Sequence, residues 1–133
     1  MREFHLKIAT PDGLIFDGNA EGILVRADSG DVEIMAGHED YFATLGTGRA
    51  KLTVGGEARV AASSGGFISM IGGECNMVAT TFEFADSIDV ERAKAAKASA
   101  EEAIKNAKDE KTLLVAKAKL MRAISRISVA EKY

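Results

Sequence analysis

Phe82-Glu83-Phe84-Ala85-Asp86-Ser87-Ile88-Asp89-Val90-Glu91-Arg92-Ala93-Lys94-Ala95-Ala96 is the stretch in which this chain changes character. Before it, all thirteen glycines fall between Gly13 and Gly73, and the one proline is Pro11. From Glu74 to Tyr133 there is neither. Gly and Pro mark the turns between short strands and weaken helix interiors. The sequence therefore predicts a β domain over residues 1–84 and a helical domain over 85–133, with helix across 88–129. Charge divides at the same place. Residues 1–84 carry 6 basic and 12 acidic side chains, and residues 85–133 carry 11 basic and 8 acidic. An acidic β part joined to a basic helical part predicts partners of different sign, or docking of one part on the other.

Upstream of the change, apolar and polar residues alternate with the period of a half-buried strand. Phe4, Leu6 and Ile8 alternate with His5 and Lys7, and the turn Pro11-Asp12-Gly13 follows. Short strands are expected at Leu14–Phe16 and Ile23–Ala27. Ala50, Leu52 and Val54 lead through Gly55-Gly56 to Ala58, Val60 and Ala62, a hairpin signature. Phe67–Ile71 and Cys75–Thr80 flank a second such turn, Gly72-Gly73. Many short strands at regular spacing predict a sandwich or barrel.

Downstream, Asp86, Ser87 and Asp89 are candidate helix caps, with Glu91 favourable in the first turn. Ala93, Ala96, Ala100, Ala103 and Ala107 form a heptad-like seam made only of alanine. After the polar break at Asn106–Glu110, Ala116, Leu120, Ala123, Ile127 and Ala130 form a second seam. Two small-residue seams predict a tight antiparallel hairpin, because alanine allows close approach. Alanine also buries little area, so the hairpin should be only marginally stable, which suits a moving part.

Several function classes lose support. The hydrophobic share of 47% is that of a globular domain, yet no apolar run reaches the roughly 20 residues of a membrane span. Met1-Arg2-Glu3-Phe4-His5 has no apolar signal core, and Cys75 is alone, so a reducing, non-secretory setting is expected. The net charge of −3 gives no case for a nucleic-acid partner. His38, in Gly37-His38-Glu39-Asp40, and His5 lack the companions of a metal or catalytic centre, so His38 reads as a turn histidine bonded to a nearby carboxylate. Ser63-Ser64-Gly65-Gly66 reads as a tight turn entering a strand. Nucleophile–base pairs and phosphate-loop patterns do not occur, which argues against an enzyme.

The basic residues of the second helix are more specific. Lys119, Arg122 and Arg126 fall at i, i+3 and i+7 on one face, with no acid from Leu113 to Ser128. Such a row is either a solvated face or a clamp for a phosphate or a carboxylate-bearing partner. With Asp89 and Arg92, one turn apart on the first helix, Arg122 and Arg126 are candidates for a polyphosphate pocket.

Five short segments share their order and spacing with a known family. They are Thr10-Pro11-Asp12-Gly13, Gly37-His38, Ser64-Gly65-Gly66-Phe67, Ile88–Ala96, and Ser128-Val129-Ala130-Glu131. Over its whole length the chain resembles the epsilon subunits of bacterial rotary F-type ATP synthases. The resemblance implies a ten-stranded sandwich followed by a two-helix hairpin. It implies a non-catalytic subunit at the foot of the central stalk, bound to the gamma subunit and the c-subunit ring. The place would be peripheral, on the cytoplasmic face of the bacterial plasma membrane, without insertion. The role would be to couple proton flow to ATP synthesis. When extended, the hairpin would restrain ATP hydrolysis by bringing Lys119, Arg122 and Arg126 to the alpha/beta catalytic head. No cofactor is implied as required.

Ile88 to Ala93 also match a motif with which some family members bind ATP as a regulatory ligand. The resemblance puts Glu83, Asp89, Arg92, Ala93, Arg122 and Arg126 at the nucleotide, and Asp31, Gly37 and His38 at the c ring. Some positions depart from the family. Ser99 stands where a further Arg contact occurs, Glu33 where Gly is common, Met35-Ala36 where Leu-Pro is usual, and Asp40-Tyr41 where Pro-Leu is common. Ser99 favours the alternative expectation, a coupling scaffold without nucleotide sensing.

Overall fold

Each of the alternating segments forms a strand that turns its larger residues to one side. The structure, a computed structural model, describes residues 2–133. Ten strands come first: β1 (Phe4–Thr10), β2 (Gly13–Ala20), β3 (Gly22–Ala27), β4 (Gly30–Met35), β5 (Tyr41–Thr44), β6 (Gly48–Val54), β7 (Glu57–Ser64), β8 (Phe67–Ile71), β9 (Glu74–Val78) and β10 (Thr81–Phe84). A short turn of tight helix, Ala85–Ser87, leads to α1 (Val90–Asn106) and α2 (Glu110–Lys132). The strands form two five-stranded sheets, ordered β2-β1-β9-β8-β5 and β10-β7-β6-β3-β4. Pairing is antiparallel except between β1 and β9.

The two sheets enclose Leu6, Ile8, Ile23, Val25, Ile34, Ile68, Met70 and Met77, all essentially without solvent contact. Phe82 and Phe4 close the edges of this core. The Gly55-Gly56 and Gly72-Gly73 turns both run through positive φ at each glycine, so they join twisted strands without splaying them. Gly66 is required for a different reason: a side chain there would meet the Val78 carbonyl oxygen at 1.7 Å.

β9 ends at Val78, not at Thr80 as the apolar run suggests. Ala79 N–H donates to the Ala9 carbonyl in the first sheet, and Thr80 N–H donates to the Ser64 carbonyl in the second. The chain therefore changes sheets between adjacent residues, with no turn residue to mark it.

Of the three candidate caps, Asp89 is the one used: its carboxylate accepts the Arg92 N–H at 3.1 Å. Asp109 caps α2 in the same way, through the Thr112 N–H at 2.7 Å. The helices pack as a hairpin whose second arm lies over β6 and β7. The seam of α1 differs from the expected one. Ala93 and Ala100 are buried, but Ala96 and Ala103 face solvent, and the half-buried Lys97 and Ile104 take their places. Ile104 offers far more apolar area than Ala103, and the Lys97 stem covers the interface while its ammonium stays in water. On α2 the expected seam holds, with Ala116 and Ala123 buried and Leu120, Ile127 and Ala130 half-buried.

Candidate functional site

Between β10, the start of α1 and the far half of α2 lies a cleft of about 490 Å³. Its lining includes Glu83, Asp89, Arg92, Ala93 and Arg126, five of the six residues expected at a nucleotide. The sixth, Arg122, is one turn earlier on α2, over an adjoining depression too narrow for a water molecule. That depression shares Thr81 and Arg126 with the cleft, so Arg122 borders the cleft rather than lining it. Ser99, six residues beyond Ala93 on α1, is exposed and lies outside the lining.

Local structure explains why each residue is where it is. Asp89 ends the linker by capping α1, which sets Arg92 in the first helical turn. Ala93, at 4% exposure, is the point where α1 presses on its neighbours, and a larger residue would push the helix away from the cleft. On α2, Arg126 Nε–H donates to Glu83 Oε1 at 3.1 Å. A guanidinium has five N–H donors in a planar fork, so this bond leaves both terminal amino groups for a ligand. Glu83 thus orients Arg126 without exhausting it. Arg92 forms no ion pair among the described residues. The carboxylates of Asp89 and Glu83 are already engaged, and both guanidiniums can donate to a phosphate.

The basic row of α2 is divided by docking. Lys119 is exposed, whereas Arg122 and Arg126 are half-buried against the sandwich. In this arrangement the row is not a continuous solvated face.

Asp31, Gly37 and His38 do not cluster. Asp31 is near the start of β4, held by Arg26 at 2.8 Å and approached by Arg49 at 3.9 Å. Gly37 and His38 lie beyond the other end of that strand, with the Arg2 guanidinium beside Gly37. His38 Nδ1–H donates to the Glu39 carbonyl oxygen at 2.8 Å, and its ring meets Tyr41 edge-on. Its partner is therefore backbone, not the carboxylate that the sequence suggested.

Sequence reasoning missed two features. Thr10, Asp12, Ile15, Thr80 and Thr81 also line the cleft. The Pro11-Asp12-Gly13 pattern signals a turn but not what the turn faces. His5 lies between Asp17, 2.6 Å from Nε2, and Glu74, 2.6 Å from Nδ1. The hydrogen bond that His5 donates to Asp17, joined by the one it donates to Glu74, raises the His5 pKa above its ordinary value. These partners come from β2 and β9, so only the sheet register could have revealed them.

Two family descriptions match the chain: "ATP synthase, Delta/Epsilon chain, beta-sandwich domain" over residues 3–85, and "ATP synthase, Delta/Epsilon chain, long alpha-helix domain" over residues 86–131. The ATP synthase epsilon chain of Bacillus velezensis is 38% identical over 130 residues, covering 98% of this chain and 98% of its own length. That of Bacillus pumilus is 37% identical over 132 residues, covering 99% of this chain and 100% of its own. Among solved structures, a chain of the Euglena gracilis mitochondrial ATP synthase superposes with a TM-score of 0.81 at 21% identity, covering 97% of this chain and 81% of that one. A chain from the central stalk and c ring of the Tetrahymena thermophila mitochondrial enzyme gives 0.57 at 12% identity, covering 98% of this chain and 96% of that one. At those identities the structural matches speak for the fold.

Proposed function

The chain belongs to the delta/epsilon chain family of ATP synthase, as an epsilon-type central-stalk subunit and not the catalytic one, and from that premise we propose that its hairpin is an ATP-sensitive brake. In the docked state α2 lies over β6 and β7 and the motor is free to turn. In an extended state the same helix reaches the alpha/beta head and blocks hydrolysis. The sandwich anchors the subunit to gamma and to the c ring at the membrane surface, with Asp31, Gly37 and His38 on the ring side. In this reading the subunit is peripheral to the membrane. No helix among the described residues is long and apolar enough to cross one.

One observation carries the reading. Glu83, Asp89, Arg92, Ala93 and Arg126, from β10 and both helices, line one cleft only while the hairpin is docked. A triphosphate held by Arg92 and Arg126 fits the two guanidiniums that line that space, with Arg122 at its border. Such a ligand binds the docked state and has no assembled site in the extended one. By that differential affinity, and by nothing else, it shifts the equilibrium toward docking. Arg122 and Arg126 also serve both states. Docked, they face the sandwich; extended, they join Lys119 as a basic row for acidic segments of the head. One set of side chains cannot do both at once, which makes the two states exclusive.

Calorimetric titration of the isolated chain with ATP tests this, with Arg126→Ala in parallel. Saturable binding that weakens by one to two decades in the variant is expected, the usual cost of one charge-assisted contact. Heat from neither protein up to millimolar ATP, with the hairpin docked, would leave the coupling scaffold as the function. Ser99, outside the cleft, is the feature that favours that second reading.

A further inference from the structure

The cleft has a further wall that neither the helices nor β10 supply. The β1–β2 hairpin contributes Thr10, Asp12 and Ile15 to the lining, on a different element from the arginines. The turn is built to hold its shape. Asp12 N–H donates to Thr10 Oγ1 at 3.2 Å, and the Thr10 hydroxyl donates to the Gly13 carbonyl at 3.4 Å. Pro11 fixes φ beside them, and the β1–β2 register shifts between Ile8 and Ala9, re-aiming the end of the hairpin. Ile15 is 37% exposed on this wall.

The charges in the cleft divide by role. Glu83 is bonded to Arg126, and Asp89 is bonded to the backbone of α1. Asp12 alone among the lining carboxylates has neither an ion pair nor a side-chain hydrogen bond among the described residues. The cationic groups come from the helices and the unengaged carboxylate from the β1–β2 turn, and all of them line one cleft. A phosphate chain is repelled by Asp12 and drawn to Arg92 and Arg126, so the ligand has one sensible orientation. Its uncharged end, which carries hydroxyl donors, lies against the turn.

We infer that Asp12 accepts the ribose hydroxyls of the bound nucleotide, with Ile15 against the apolar side of the sugar and base. The inference rests on the nucleotide reading above and adds an orientation and a specificity to it. A carboxylate accepting from a ribose diol is charge-assisted and matches the geometry of adjacent hydroxyls. It also makes the sandwich part of the sensor. The helices hold the phosphates and the β domain holds the nucleoside, so the ligand bridges the two parts that must stay together.

The test is calorimetric titration of the full chain, wild type and Asp12→Ala, with ATP and with 2′,3′-dideoxy-ATP. The wild type should bind ATP about tenfold more tightly than the dideoxy analogue. Asp12→Ala should bind both ligands alike, at the affinity the wild type has for the analogue. The substituted side chain is exposed and makes no hydrogen bond or ion pair among the described residues, so the fold is expected to be retained. Unchanged ATP affinity in Asp12→Ala overturns this inference and leaves nucleotide binding intact. So does an equal loss for both ligands, which would mark a structural effect. If the wild type binds no ATP, the nucleotide reading itself falls, and this inference with it.

Discussion

The sandwich and the hairpin are of similar regularity but are held by different amounts of buried surface. Every member of the main core cluster lies between Phe4 and Phe82, and most are Leu, Ile, Met, Val or Phe. The hairpin buries Ala93, Ala100, Ala116, Ala123 and Val129. A fully buried large aliphatic contributes about 1.5–3 kcal/mol, and an alanine methyl a fraction of that. The sandwich can therefore stand alone, while the hairpin depends on docking. The proposed brake, in which the sandwich stays attached while the hairpin moves, needs this inequality. Evening it out, by weakening the core or filling the seam, should abolish one behaviour or the other.

The largest effect is expected in the core. Ile68→Ala, at a site with 0% exposure, should destabilise the chain by about 2–5 kcal/mol in denaturant titration. Cys75 gives an independent readout. It is buried at 1% exposure, and burial pushes its thiol up to about 11, so it stays protonated and unreactive in the folded sandwich. Thiol labelling should accelerate in Ile68→Ala and stay at the wild-type rate in Val129→Ala. Equal acceleration by the two would mean that the parts unfold as one unit and the comparison is wrong.

Next is the seam. Ala123 is at 1% exposure, and Ala123→Leu adds volume where the helices meet. Overpacking of this kind costs about 1–3 kcal/mol. The expected result is faster amide exchange throughout α1 and α2, with exchange in β1, β6 and β9 unchanged. Slower exchange in the helices would show that the seam has room and that the hairpin is loose for another reason. The Glu83–Arg126 pair should contribute less, because both side chains remain partly exposed. A double-mutant cycle with Glu83→Gln and Arg126→Gln, read by exchange in α2, should give a coupling on the order of 0.5 kcal/mol. A coupling of zero would remove the pair from the docking contacts.

The same inequality explains what was legible beforehand. The loss of Gly and Pro after Gly73 separates strand from helix because it is a property of composition. Alternation in β1, β6 and β7 survives in the sequence because each has one face in the core. β5 and β10 are only four residues long, and Tyr41-Phe42 puts two aromatics side by side, so neither offers enough periods to detect. The division of β9 from β10 is hidden because the crossover at Ala79-Thr80 is made by hydrogen-bond partners and not by a turn residue. The α1 seam was misread because alanine spacing alone cannot weigh Ile104 and the Lys97 stem against Ala103 and Ala96. In the cleft, Asp89 and Arg92 were legible because they lie one turn apart at the start of α1, whereas Glu83 and Ala93 entered through the family resemblance. Asp12 and Thr80 were not legible, because only the docking of the hairpin on the sandwich brings them beside those residues.

The smallest effects distinguish the two parts by pH. His5 has a carboxylate on each ring nitrogen, an arrangement satisfied only when both nitrogens carry protons. Its folded pKa is raised above 6.5, by Asp17 first and Glu74 second. A raised histidine contributes stability that is fully present below the unfolded value and fades as pH climbs through the folded one. Lys7, the cross-strand neighbour of Asp17, is a further cation beside this clamp. Asp109 acts in the opposite direction in the hairpin. The Thr112 N–H holds its carboxyl below 3.8, so its cap is present at neutral pH and is lost as pH falls through the lowered value. Raising pH above 6.5 should therefore loosen β2 and β9 against β1 while leaving the helices alone. Acid below about 3.8 should fray the start of α2. Residue-resolved amide exchange at pH 6 and 8.5, after correction for intrinsic rates, should show the first effect in the wild type and lose it in His5→Gln. If β2 protection is the same at both pH values, the His5 clamp is only a surface contact, and the stability of the sandwich rests on its core alone.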